Sequence, residues 1–216
     1  AVKAGYVTKK DTISVTEDTE KTITMEKAPE STRKDVSAAW KNFRNSDDNM
    51  GITSAKTPTS EATTYEKWFK KLGSGWGAAP SVQIIVDNSL IVMSANHIYK
   101  LDLNTGDILQ TGDMVAATNF GYTPPTYADG MIFAPLADGR VQAFNAETLE
   151  SLWVYQDMLK GQSLSPITYS DGYIYTGFWN AETKDANYVC IPVTDKDMNH
   201  PNQYCIDHEK ISHYQT

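Results

Sequence analysis

Val86-Asp87-Asn88-Ser89-Leu90-Ile91-Val92, Ala128-Asp129-Gly130-Met131-Ile132-Phe133 and Ser170-Asp171-Gly172-Tyr173-Ile174-Tyr175 are three versions of one phrase. Their Asp-Asn or Asp-Gly pairs lie 42 residues apart, and Pro124 and Pro166 keep the same spacing. Such pairs suit a two-residue hairpin, whose central residues take positive φ. Alternating apolar and aromatic residues flank each pair, which is the period of a strand. A second phrase repeats downstream. Ile98-Tyr99-Lys100-Leu101-Asp102-Leu103-Asn104-Thr105-Gly106 aligns with Val141-Gln142-Ala143-Phe144-Asn145-Ala146-Glu147-Thr148-Leu149. The offset is now 43, because the Asp138-Gly139 hairpin is one residue longer than that at Asn96-His97. Trp153 then aligns with Gln110, and Trp68 lies 42 residues before Gln110. The unit is four short strands, and its length and strand count are those of a propeller blade.

The fold expected is therefore all-β: a partial β-propeller with three four-stranded blades, over about 78–113, 122–157 and 164–207. A closing outer strand is expected near 65–72, where Trp68 stands. Val82, Ile84, Leu90, Val92, Ile98, Leu101, Ile132, Val141, Phe144, Ile174 and Tyr175 occupy strand positions and are expected to be buried between blades.

Upstream the texture changes. Residues 29–63 are polar, with the loop signal Asn45-Ser46-Asp47-Asp48-Asn49-Met50-Gly51. They read as a linker that packs on the next domain through Trp40 and Phe43. Ala38-Ala39-Trp40 suits a short helix begun at Ser31, Thr32 or Asp35. Residues 1–28 alternate at Ile13, Val15 and Thr22-Ile23-Thr24-Met25, which reads as strands. They resemble the last strands of an immunoglobulin-like or carboxypeptidase-regulatory-like β-sandwich, a module of bacterial surface proteins. The domain division expected is thus 1–28, 29–63 and a propeller over 64–216.

Leu101-Asp102-Leu103-Asn104-Thr105-Gly106-Asp107-Ile108-Leu109 resembles the core of pyrroloquinoline-quinone-like repeats. The run from Ala143 to Trp153 is a looser copy, with Leu149 in place of the turn glycine. Trp40-Lys41-Asn42-Phe43-Arg44 is similar to the opening that precedes the first blade in many members. The likeness covers residues 40–193 and is nearest to surface or secreted propellers of Gram-positive bacteria. The propeller subunit of the outer-membrane barrel-assembly machinery is a more distant relative. Rings of this family close with about seven or eight blades. The resemblance therefore implies remaining blades, from the same protein or a second chain. They would cover the face expected to carry Ile174, Tyr175 and Phe178.

Composition narrows the function. Net charge is −8 and the sequence pI about 4.9, which disfavours phosphate backbones as partners. The Lys67, Lys70, Lys71 cluster reads as a solvated strand face. No apolar run approaches the ~20 residues of a membrane span. No nucleic acid and no transmembrane segment are expected.

Candidate chemistry is sparse, and no catalytic, cofactor-binding or metal residues are assigned. Quinone-dependent dehydrogenases of this fold imply a pair of adjacent cysteines and a Ca²⁺ set of Glu, Asn and Asp. This sequence has only Cys190 and Cys205, and its acidic residues fall in turns. Asp102-x-Asn104-x-Gly106-Asp107 is shorter than a calcium loop and fits a capped blade turn. Cys190 and Cys205 suit one disulfide, a pair of free thiols, or part of a zinc set with His208 and His213, for which His200 competes. Gly73-Ser74-Gly75-Trp76-Gly77 precedes a strand and reads as a crossing between blades. Tyr122, Tyr127, Phe178 and Trp179 are the aromatics expected to face a ligand. The leading expectation is a non-catalytic binding or scaffolding module, extracellular or at a bacterial cell surface, with no cofactor and a protein or carbohydrate ligand. A fragment of a quinone-dependent oxidoreductase, or an assembly-type propeller that grips client proteins, stands as the alternative.

Overall fold

A computed structural model describes residues 12, 14, 18, 20–26, 35–118, 123–181 and 184–193, and the backbone of 213–215. Three antiparallel sheets follow one another along the chain. The first contains β1 (Ala38–Trp40), β2 (Ile84–Val86), β3 (Ser89–Ser94), β4 (His97–Asp102) and β5 (Ile108–Asp113), hydrogen-bonded in that order. The second contains β6 (Thr126–Ala128), β7 (Met131–Leu136), β8 (Arg140–Asn145) and β9 (Ser151–Gln156). The third contains β10 (Thr168–Ser170), β11 (Tyr173–Phe178), β12 (Asn187–Pro192) and β13 (His213–Gln215). Each sheet is a blade, and the repeat read from the sequence is present in its strands.

Turn chemistry sets the registers. Asp87 and Asn88, Asp129 and Gly130, and Asp171 and Gly172 all have positive φ. This is the backbone whose twist matches the flanking strands. The β7–β8 turn has Asp138 and Gly139 at φ of 58° and 64°. In the first blade the equivalent turn lies at Ala95-Asn96, one residue earlier than expected, with β4 starting at His97. The third turn of the blade is a side-chain cap. Asp102 Oδ1 accepts from the amides of Asn104 (2.7 Å) and Thr105 (2.9 Å). Asn145 Oδ1 does the same for Glu147 (2.8 Å) and Thr148 (3.1 Å). The two backbone hydrogen bonds hold the Asp102 carboxyl below its ordinary value.

The cores lie between blades. Ile84, Ile91, Met93 and Ile98 of the first share a buried cluster with Ile132, Leu136, Phe144 and Leu149 of the second. Met131, Phe133, Val141 and Trp153 of the second share another with Ile167, Ile174, Phe178 and Val189 of the third. All six residues of β7 are buried, as a strand covered on both faces must be. Ile174 and Phe178 therefore face backward onto the second blade, not forward as expected. Of the predicted core, Val82 is exposed because it precedes β2, and Leu90 and Tyr175 are half-buried.

A polar contact accompanies each core. Buried Gln142 donates through Nε2 to the Asp113 carbonyl (3.2 Å), and its Oε1 accepts from the Val115 amide (2.9 Å). Asn187 Nδ2 donates to buried Asp157 Oδ1 (2.7 Å) in the next joint.

Other departures lie upstream. Ala38–Trp40 is a strand, not a helix, and gives the first blade its fifth member. Backbone pairing with the open edge of β2 outweighs the helix preference of two alanines. Tyr65–Leu72 forms no strand and pairs with none among the described residues. Trp68 still docks, donating through Nε1 to the Leu103 carbonyl (3.1 Å). Lys67 reaches Asn104 Oδ1 (2.8 Å), and Lys70 lies 4.0 Å from Asp107. Gly75 has φ of +76° and starts a single 3-10 turn at Trp76–Ala78, where the chain crosses toward β2. Residues 20–26 show no strand, and Ile13 and Val15 lie outside the described residues.

Candidate binding surface

The four aromatics expected to face a ligand have different fates. Tyr122 lies outside the described residues. Phe178 is buried, its ring stacked on Tyr155 with centroids 6.1 Å apart. It shares a face of β11 with Ile174, four residues before it, so strand geometry turns it into the joint. Tyr127 is buried as well. Its hydroxyl donates to Asp35 Oδ1 (2.6 Å) and accepts from the Val36 amide (2.7 Å). Burial first, and then the hydrogen bond to Asp35, push this phenol up to about 12. Trp179 is 46% exposed and bonds through its backbone to Gln162, so of the four it alone is shown open to solvent.

Tyr175, expected on the uncovered face of the third blade, is there, and two further tyrosines join it that the sequence reading did not place. In β11 and β12 the ladder sets Tyr173 opposite Pro192, Tyr175 opposite Cys190, and Gly177 opposite Tyr188. The corresponding positions of the second blade are Met131, Phe133 and Val141, which take part in the core shared with the third. Tyr173, Tyr175 and Tyr188 thus occupy the forward face of the third blade. Tyr173 and Tyr175 are half-buried, and Tyr188 is 48% exposed. The Cys190 side chain opposite Tyr175 holds its phenol above the ordinary value. The alternation was visible in the sequence, but which face pointed forward was not.

Cys190 is half-buried on β12, and its candidate partner Cys205 lies outside the described residues, as do His200 and His208. His213 is described only as backbone. Among the described residues no group of three or more His, Cys, Asp or Glu is placed to hold a metal ion. No described helix is long and apolar enough to cross a membrane.

Comparison with known proteins agrees with this architecture. A family model described as "Outer membrane protein assembly factor BamB" matches residues 60–179. Among solved structures, the chain is similar to quinohemoprotein alcohol dehydrogenase ADHIIG from Pseudomonas putida HK5. The identity is 16% and the TM-score 0.57, over 72% of this chain and 25% of that one. BamB from Moraxella catarrhalis is 18% identical with a TM-score of 0.45, over 59% of this chain and 40% of that one. A europium-containing methanol dehydrogenase is 21% identical with a TM-score of 0.43, over 56% and 24%. The chain thus spans a quarter of the length of the alcohol dehydrogenase. No curated protein matches.

Proposed function

Because the chain belongs to the propeller-repeat family described as outer membrane protein assembly factor BamB, we propose that it is a non-catalytic binding or scaffolding propeller of the bacterial cell surface or envelope. The observation that carries this reading is the forward face of the third blade. Tyr173, Tyr175 and Tyr188 stand there in register, where the second blade presents Met131, Phe133 and Val141 to its neighbour. Tyrosine gives a contact surface with an apolar body and a polar tip, which suits protein partners. The partner that this face fits is the set of remaining blades.

Two measurements test the proposal. The complete purified protein, reconstituted with pyrroloquinoline quinone and Ca²⁺, is expected to reduce no electron-accepting dye. Quinone-dependent dye reduction overturns the non-catalytic reading. Fractionated cells are expected to hold the protein in the envelope or medium, and a cytoplasmic pool overturns the location.

A further inference from the structure

Tyr127 and Tyr169 lie 42 residues apart, at the same position of the innermost strands β6 and β10. Their hydroxyls nevertheless take different partners. Tyr169 donates to Asp129 Oδ2 (2.5 Å), in the first hairpin of the preceding blade. The residue equivalent to Asp129 in the first blade is Asp87. Tyr127 bonds instead to Asp35 and Val36.

The segment that intervenes is 35–42. Its strand β1 pairs with β2, Ala38 opposite Val86 and Trp40 opposite Ile85. The Asp87 amide donates to the Ser37 carbonyl (2.9 Å), and the Tyr127 amide to the Lys41 carbonyl (2.7 Å). Val36 and Ala38 pack against the core shared by the first two blades. The segment thus lies across the inner edges of both blades, at the place where the second joint has its Tyr-to-Asp clasp. An open strand edge is a template for an extended chain, and here the chain itself supplies one.

We infer that residues 35–42 are a replaceable strap: they fill a strand-accepting edge in cis, and Asp87 is the reserve partner that Tyr127 takes when the strap leaves. Asp35 is exposed, so truncating its side chain spares the fold.

Hydrogen–deuterium exchange of the full chain tests the strap. In Asp35→Ala the Asp87 and Tyr127 amides, whose acceptors belong to the strap, should exchange about tenfold faster. That is the scale of one hydrogen bond to a charged group. Amides of β7 and β8 should keep their rates. Unchanged rates, or equal acceleration everywhere, overturn the strap. The reserve partner is tested by melting temperature. Asp87→Gly suits the positive φ of 46° at that position. Combined with Asp35→Ala it should lower the melting temperature by more than the sum of the single changes, because Tyr127 then has neither carboxylate. Additive shifts overturn the reserve role.

Discussion

Gly106 and Leu149 hold the same turn position one blade apart, at φ of 74° and 56°. The leucine sits in a left-handed backbone that glycine occupies without steric cost, and its side chain is buried in the first inter-blade core. At Gly106 the space is filled from outside. A Cβ there would lie 2.5 Å from the Trp68 ring. Gly106→Ala should therefore cost at least 1–2 kcal/mol, about the penalty of the left-handed backbone alone, with more from expelling the indole. Urea denaturation measures it, and a loss below about 0.5 kcal/mol would show that Trp68 does not seal the turn. The sequence marked Trp68 as the residue ending a blade unit, but not the turn it covers, since that is a contact between units. A second prediction concerns the tyrosine clasps. Tyr127 and Tyr169 are each raised from 10.0 to about 12, by burial first and then by a hydrogen bond to a carboxylate. A phenol that stays protonated in the fold, after the unfolded chain has lost its proton, stabilises below pH 10. That contribution is lost as pH rises through about 12. Tyr127→Phe and Tyr169→Phe should each flatten the fall in melting temperature between those values, and an unaltered slope would deny the clasps their role.

Among the elements, hairpins were the most legible feature, because Asp-Gly and Asp-Asn pairs carry their own backbone requirement and need no neighbour. β1 was the least legible. Ala38-Ala39-Trp40 has no strand alternation, and its ladder exists only because β2 presents an edge. Residues 65–72 show the converse, with a strand-like pattern and no ladder among the described residues. Propensity decides little when pairing is decided elsewhere in the chain. The same holds for Gln142, a buried amide on a strand that otherwise reads as apolar core. It serves the Val115 amide, the Asp113 carbonyl and the Ser151 hydroxyl together. Gln142→Leu keeps the volume and leaves the two backbone groups bare in the joint, at about 1–3 kcal/mol for each buried group. Guanidinium denaturation should show this loss without a change of strand content in circular dichroism. A neutral result would mean that water reaches the joint.

At the scale of the molecule the arc is asymmetric. The second blade is covered on both sides, whereas the third presents Tyr173, Tyr175 and Tyr188 forward with no sheet against them among the described residues. At the other end Tyr65, Phe69 and Trp76 are 76–80% exposed. Apolar surface gathered in this way is rare on soluble monomers. A further sheet against the forward face would bury three aromatic rings whose polar tips can stay at its rim, which is how tyrosine serves an interface. Residues 1–216 expressed alone are therefore expected to associate, or to melt without a cooperative transition, while the same residues joined to the remaining blades melt as one unit. Cys190 reports on the same face, because it lies opposite Tyr175 in the ladder. In a Cys205→Ser background its alkylation should be fast in the isolated chain and at least tenfold slower once the next blade docks, since protection scales with the population of the open face. Light scattering, calorimetry and the alkylation rate read three aspects of one event. A monodisperse monomer with a cooperative transition, and a Cys190 rate unchanged by the added blades, would mean that the tyrosine face is finished as it stands.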